Sequence, residues 1–377
     1  MGTIMEQVAN VDSHDRFKMM FRHLRTEYEK RGLPLKGTFE LTPHCTLDCK
    51  MCYVHRSDGK YPHRVLTGDE WINIMDQAIE LGMLEALLTG GECMLHPDFK
   101  RIYMHLKKKG VYVLLISNAT LIDQDIVELF KAYPPSKLNI TVYGSNPQVY
   151  EQVTGHAEAF AVVNNALNML REANISYNIQ HTFSKYNLDD AQALLEYSQM
   201  MKNGEVQIDT DLFDPIDNCG NEYSKYALSF EERWYLESKL QARKGRSVGV
   251  VCDEDFLRAK VDTPQPSPTL NMPCIAGITA FHVNYYGIMA PCGNFPLVLE
   301  DVTKERVQTA WNEIHRVALS YTRSEECVSC EFFGKCSFCP ARYAMATGSK
   351  NGLAGVKPCD KKYAMLLPTF YTKLKEN

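Results

Sequence analysis

The chain has 377 residues, of which 45% are hydrophobic and 23% charged, with a formal net charge of −5. That composition is globular and excludes disordered, collagen-like and coiled-coil readings, and the acidic balance lacks the basic excess of a nucleic-acid binder. No long apolar run predicts a membrane span, and the polar stretch from Met1 to Asp15 lacks the apolar core of a signal peptide, so a cytoplasmic protein with no nucleic-acid or membrane partner is expected.

Residues 12–31 read as an amphipathic helix with Phe17, Met20, Phe21 and Leu24 on one face. Gly32 ends it and Pro34 bars its continuation. A strand is expected over 37–42. Thr67 and Glu70 form a capping-box signature for a helix that reaches Leu81 and stops at Gly82. Strands are then expected over 84–88, 111–116, 138–143, 177–182 and 206–209. Helices near 97–110, 123–132, 147–153, 158–174 and 189–201 separate them. This alternation predicts an α/β fold of parallel strands with right-handed crossovers, closed or partly closed into a barrel. Sites in such sheets gather at the C-terminal ends of the strands. Beyond about residue 245 the alternation stops, and Pro264, Pro266, Pro268 and Pro273 mark a loop. A domain boundary is expected near 245–250.

The 13 cysteines fall into an early and a late group. In a reducing compartment clustered cysteines read as metal ligands or catalytic thiols rather than disulfides. The early group follows the first strand as Cys45-x3-Cys49-x2-Cys52-Tyr53. Three thiolates on one short loop suit one face of a [4Fe–4S] cube and leave one iron open. A zinc knuckle borrowing His44 or His55, and plain structural thiols, are the alternatives.

This spacing, ahead of an aromatic and after the first strand of an α/β repeat, resembles the radical S-adenosylmethionine (radical SAM) superfamily. The resemblance implies a partial (β/α)6 barrel over 37–247, preceded by an N-terminal helical extension over 1–36. In that family the open iron chelates S-adenosylmethionine, and reductive cleavage gives a 5′-deoxyadenosyl radical that abstracts a substrate hydrogen. Cys45, Cys49 and Cys52 would hold the cluster. Gly90-Gly91-Glu92, at the end of the second strand, resembles the family motif that contacts the methionine amino group. Glycines allow close backbone approach and a carboxylate can accept from an ammonium. Ser117 and Asn118 would lie near the nucleoside, Thr141 near the ribose or methionine carboxylate, and Tyr53 by the adenine. Cys93, where the family often has proline, reads as a small buried residue.

The late group, Cys274-x12-Gly287-x4-Cys292 with Cys327-x2-Cys330-x5-Cys336-x2-Cys339 and Cys359, resembles the SPASM extension. That resemblance implies a cysteine-rich domain over 248–377 with two auxiliary [4Fe–4S] clusters. Cys274, Cys292 and Cys339 would hold the first, with Cys252 as a candidate fourth ligand. Cys327, Cys330, Cys336 and Cys359 would hold the second. The x2 between Cys336 and Cys339 departs from the usual x3, and a zinc ribbon on Cys327, Cys330, Cys336 and Cys339 is the alternative.

Auxiliary clusters suggest oxidative modification of a peptide or protein side chain, with flavodoxin or ferredoxin as external electron donor. Residues 1–36 are too few for a leader-binding winged helix, so a peptide substrate would need a separate recognition protein or direct docking at the barrel mouth. A formylglycine-forming, sulfatase-maturing enzyme is a second reading. Gly293 stands where those relatives carry an Asp, which counts against it. Redox-neutral chemistry on a small molecule is a third, with Cys93 or Cys219 as hydrogen donor. An electron carrier or zinc scaffold is the non-enzymatic alternative. For a general base the strand ends offer Tyr143, His181, Asp209 and Asp211, with His181 more readily read as a satisfied core histidine.

Overall fold

In the computed structural model the described residues are 13–52, 54, 64–203, 206–209, 228, 232, 236, 272, 274–293, 295, 298–323, 341 and 354–356. Tyr53, His55, Asp211, the proline-rich stretch and cysteines 219, 252, 327, 330, 336, 339 and 359 lie outside them.

Helix α1 (Ser13–Arg31) leads into β1 (Lys36–Glu40). There follow α2 (Gly68–Glu80), β2 (Glu85–Thr89), α3 (Phe99–Lys108), β3 (Tyr112–Ser117), α4 (Gln124–Ala132) and β4 (Lys137–Thr141). Then come α5 (Pro147–Thr154), α6 (Ala159–Glu172), β5 (Asn178–Thr182), α7 (Ala191–Met201) and β6 (Val206–Asp209). Local chemistry sets several boundaries. Thr67 caps α2 in a complete capping box with Glu70. Asp123 and Asn146 accept from the first turns of α4 and α5, and Pro147 opens α5 where its missing N–H costs nothing.

Strands β1 to β6 pair in parallel and in chain order. Because each crossover is right-handed and steps the same way, the helices gather on one face and the sheet curls into a partial barrel. Burial alternates along the strands. Leu88, Val113, Leu115, Ile140 and Ile179 are buried beneath the helices. Their neighbours Leu87, Leu114, Ile116, Asn139 and Gln180 line the concave face and are half-buried.

The sheet does not end at β1. β7 (Ala280–Val283) pairs in parallel with the free edge of β1, and β8 (Ile288–Ala290) and β9 (Glu300–Asp301) add on antiparallel, giving nine strands. Gly287, at φ +83°, makes the tight turn between β7 and β8 and donates to the Asn284 carbonyl. Helix α8 (Val307–Ser320) then packs back on the body. Its Trp311 indole donates to the Gly32 carbonyl at 2.8 Å, and the Val307 amide donates to Gln77 at 3.2 Å. The short strands β10 (Thr322–Arg323) and β11 (Ala354–Val356) form a separate parallel pair. Among the described residues no helix is long and apolar enough to cross a membrane.

Candidate active site

The loop after β1 is held by the turn after β2, backbone against backbone. The Gly91 amide donates to the Thr42 carbonyl and the Glu92 amide to the His44 carbonyl, both at 2.8 Å. A Cβ on Gly90 would stand 2.4 Å from the Thr42 carbonyl, and one on Gly91 2.4 Å from those of Pro43 and His44. Gly90 also adopts φ +132°, a region that favours glycine. The glycines therefore fit the turn against the cysteine-bearing loop itself. Further along, the Asp48 and Lys50 amides donate to the last carbonyls of α5, at Thr154 and Val153.

Glu92 is fully buried at this junction. One carboxylate oxygen accepts from the Ser117 hydroxyl at 3.0 Å and the Asn118 amide at 2.8 Å; the other accepts from the Met94 amide at 3.3 Å. Burial raises its pKa, and these donors oppose the rise. Ser117 and Asn118, at the end of β3, are also buried. The Asn118 side-chain nitrogen stands 3.4 Å from the Cys45 sulfur and 3.2 Å from the Thr46 hydroxyl. Two consecutive strand ends thus converge on the first cysteine.

Cys49 packs against Met51 and Val153, as do Tyr143 and Tyr186. Cys52 packs against Val54, Tyr285 and Tyr286, the tyrosines of the β7–β8 turn. The Tyr143 phenol, just past β4, is near enough to Cys49 to oppose the rise in its thiol pKa. Burial pushes the Cys45 thiol up to about 11, with the Glu92 carboxylate adding to the rise and Asn118 opposing it. Cys49 is driven higher still, again chiefly by burial. Each of these two thiols also feels the charge of Cys52, so the three lie close together. Among the described residues no three His, Cys, Asp or Glu side chains converge tightly enough to hold a single metal ion. Three half-buried thiols lying close together, with a hydrogen-bond donor at the Cys45 sulfur, fit the ligand set for an iron–sulfur cluster, whose charge would draw off their protons.

Of the other expected site residues, Thr141 is buried at the end of β4, while Tyr53 lies outside the described residues. Cys93 is fully buried, its thiol facing the Glu92 carboxylate and the Ile116 carbonyl. His181 points away from the concave face. Its ring joins the Val142 carbonyl at 2.9 Å to the Ser198 hydroxyl at 2.7 Å, and burial pulls its pKa down to about 4. It is a satisfied core histidine. The Tyr143 phenol is held well above the tyrosine range, by burial first and the cysteines second, which makes it a poor base. Of Asp209 only the backbone is described. Cys274 is exposed and Cys292 half-buried.

Sequence reasoning missed one pair. His282 of β7 meets Glu40, the last residue of β1, at 3.1 Å, and both side chains are about nine-tenths buried. The His282 ring also lies 3.5 Å from where a Cβ on Gly293 would stand. Phe39 and Phe281 pack together beneath the helices, so Glu40 and His282, one place along each strand, face the concave side. An acid-backed imidazole there can take up and pass on a proton. The available signal was Glu40, a carboxylate flanked by Phe39 and Leu41 at the end of the first strand.

Parallel βα units with three thiols after the first strand, wedged by a Gly-Gly-Glu turn after the second, define the class. Residues 39–197 match the Radical SAM superfamily, and the chain is an enzyme with a radical SAM domain over that stretch. It is 26% identical over 328 residues to the AdoMet-dependent heme synthase of Methanosarcina barkeri, covering 82% of this chain and 92% of that one. It is 25% identical over 274 residues to the sporulation killing factor maturation protein SkfB of Bacillus subtilis, covering 71% and 63% respectively. In fold it is similar to Streptococcus suis SuiB bound to S-adenosylmethionine, with a TM-score of 0.64, 14% identity, and 93% and 84% of the two chains covered. The family implies a [4Fe–4S] cluster and S-adenosylmethionine.

Proposed function

We propose that the protein is a peptide-modifying radical SAM enzyme that oxidises a side chain of a peptide or protein substrate. Cys45, Cys49 and Cys52 would hold the cluster, with S-adenosylmethionine lying against Gly90, Gly91, Glu92, Ser117, Asn118, Thr141 and Tyr53. When bound, the pair supplies a 5′-deoxyadenosyl radical that takes a hydrogen atom from substrate. The protein's task is to aim that chemistry and keep water from it. The Gly90-Gly91 turn fixes the loop, and Glu92 ties the ends of β2 and β3 together. The half-buried concave face offers Asn139 and Gln180 to peptide groups. His282, backed by Glu40, is placed to accept the proton that oxidation of a substrate radical releases.

The observation that carries this reading is the convergence of two strand ends and a glycine turn on a three-thiol loop. The likeness to SkfB supports a peptide substrate, and the likeness to the heme synthase keeps small-molecule chemistry as the second reading. Residues 248–377 are read as a SPASM domain carrying two auxiliary clusters on the late cysteines.

The test is anaerobic reconstitution with iron and sulfide, iron counting, and an assay for 5′-deoxyadenosine under dithionite. About twelve irons are expected in the wild type, falling by about four in the Cys45→Ala/Cys49→Ala/Cys52→Ala variant, with loss of 5′-deoxyadenosine. Tightly held zinc and no 5′-deoxyadenosine would reject the reading. Wild-type enzyme incubated with candidate peptides, followed by mass spectrometry, then separates peptide from porphyrin substrates: a two-hydrogen mass loss on a peptide supports the first.

A further inference from the structure

The hydrogen bond between Asn118 and Cys45 has a definite direction. An asparagine amide presents an oxygen that only accepts and a nitrogen that only donates. Here the side-chain oxygen receives the Thr120 backbone N–H at 2.9 Å and the Thr120 hydroxyl at 2.7 Å. A backbone N–H can only donate, so the oxygen is fixed on that side and the NH2 group must face Cys45 and Thr46. The Thr46 and Thr120 hydroxyls also meet each other at 2.5 Å, closing a ring of polar contacts around the amide. The Asn118 main chain is pinned by its N–H to Glu92, and the next residue, Ala119, takes φ +63° with its amide on the Ser117 hydroxyl. The donor is therefore held from three sides, and the sulfur is its free direction.

We propose that Asn118 is a positioning residue that donates an N–H hydrogen bond to the Cys45 sulfur in the cluster-loaded enzyme and so sets the cluster's reduction potential. This rests on the cluster reading above. Reduction adds negative charge to the cluster and its sulfurs, so a donor at a sulfur stabilises the reduced form more than the oxidised one and raises the potential. The need is local. The buried Glu92 carboxylate lies on the same side, and its charge disfavours further negative charge on Cys45. Asn118 donates to both groups, through its backbone to Glu92 and through its side chain to Cys45. One strand-end residue thus offsets a carboxylate that the β2–β3 junction requires.

The test is redox titration of the reconstituted full-length enzyme, followed by electron paramagnetic resonance. The signal that changes on adding S-adenosylmethionine is followed, because it belongs to the cluster on Cys45, Cys49 and Cys52. Asn118→Ala is expected to retain its iron and to shift to a more negative midpoint. The reduced-to-oxidised ratio at fixed poise should fall about tenfold, equivalent to about 59 mV for one electron. Asn118→Asp keeps an acceptor for the Thr120 amide but offers the sulfur no donor, and should shift the same way or further. It decides the matter should Asn118→Ala fail to hold iron. Thr120→Val perturbs the same polar ring but leaves the Thr120 backbone amide on Asn118, and should keep the wild-type midpoint. Wild-type midpoints in both Asn118 variants, or an equal shift in Thr120→Val, would overturn the proposal. A wild-type enzyme with no S-adenosylmethionine-responsive signal would instead reject the cluster reading beneath it.

Discussion

At the scale of single residues, the site is held by groups that have little room to change. Gly91 has carbonyl oxygens where a side chain would begin, and neither Pro43 nor His44 can retreat without carrying the cysteine loop with it. Gly91→Ala is expected to lose the iron of that loop on reconstitution while keeping the far-ultraviolet spectrum of the fold; iron counting checks it. His181 gives a pH signature away from the chemistry. Its folded pKa, about 4, lies below the ordinary 6.5, so between those values the unfolded chain binds a proton that the folded chain refuses. Stability is therefore full above pH 6.5 and falls as pH drops towards 4, by about 3 kcal/mol. Denaturation across that window should show the slope in wild type and lack it in His181→Gln. The cysteine spacing and Gly-Gly-Glu were legible in the sequence because each is a contiguous string. That the glycines serve the loop, and that Glu92 is spent on Ser117 and Asn118, was not legible, since those partners lie 25 and 26 residues downstream across a strand pairing.

At the scale of elements, boundaries were legible wherever a cap or breaker marks them. The Thr67–Glu70 box begins α2 as its signature predicts. Thr67→Ala should cost about 1 kcal/mol, seen as a lower denaturation midpoint at unchanged slope. The six parallel strands followed from the alternation of strand and helix segments along the chain. The orientation of His181 followed too: at a strand end where a site residue would stand, it reads as a core histidine, and the period of two turns it beneath the helices. Strand β7 escaped notice because four residues buried on both faces carry no alternation.

At the scale of the whole molecule, α8 joins regions far apart in sequence. Trp311 stacks on His315, packs edge-on against Phe281 and bonds the Gly32 carbonyl 279 residues away. Trp311→Ala should cost about 3–5 kcal/mol, lowering the thermal midpoint. Such long-range closure is invisible to a reading that moves along the chain window by window. The parallel register of β1 with β7 is the same kind of fact, because nothing within either strand names the other.

That register has a further consequence. β1 has neighbours on both edges, β2 on one and β7 on the other, and its C-terminal end runs directly into the cysteine loop. A chain cut before β7 would bare a row of unpaired amides and carbonyls along β1, an invitation to edge-to-edge aggregation. The tyrosines that cover Cys52 would go with it. The catalytic half is therefore an incomplete object: its seam is finished by the segment that carries the late cysteines. Oxidative damage to that segment would be felt mechanically at the Cys45–Cys52 loop, through the β1–β7 seam alone.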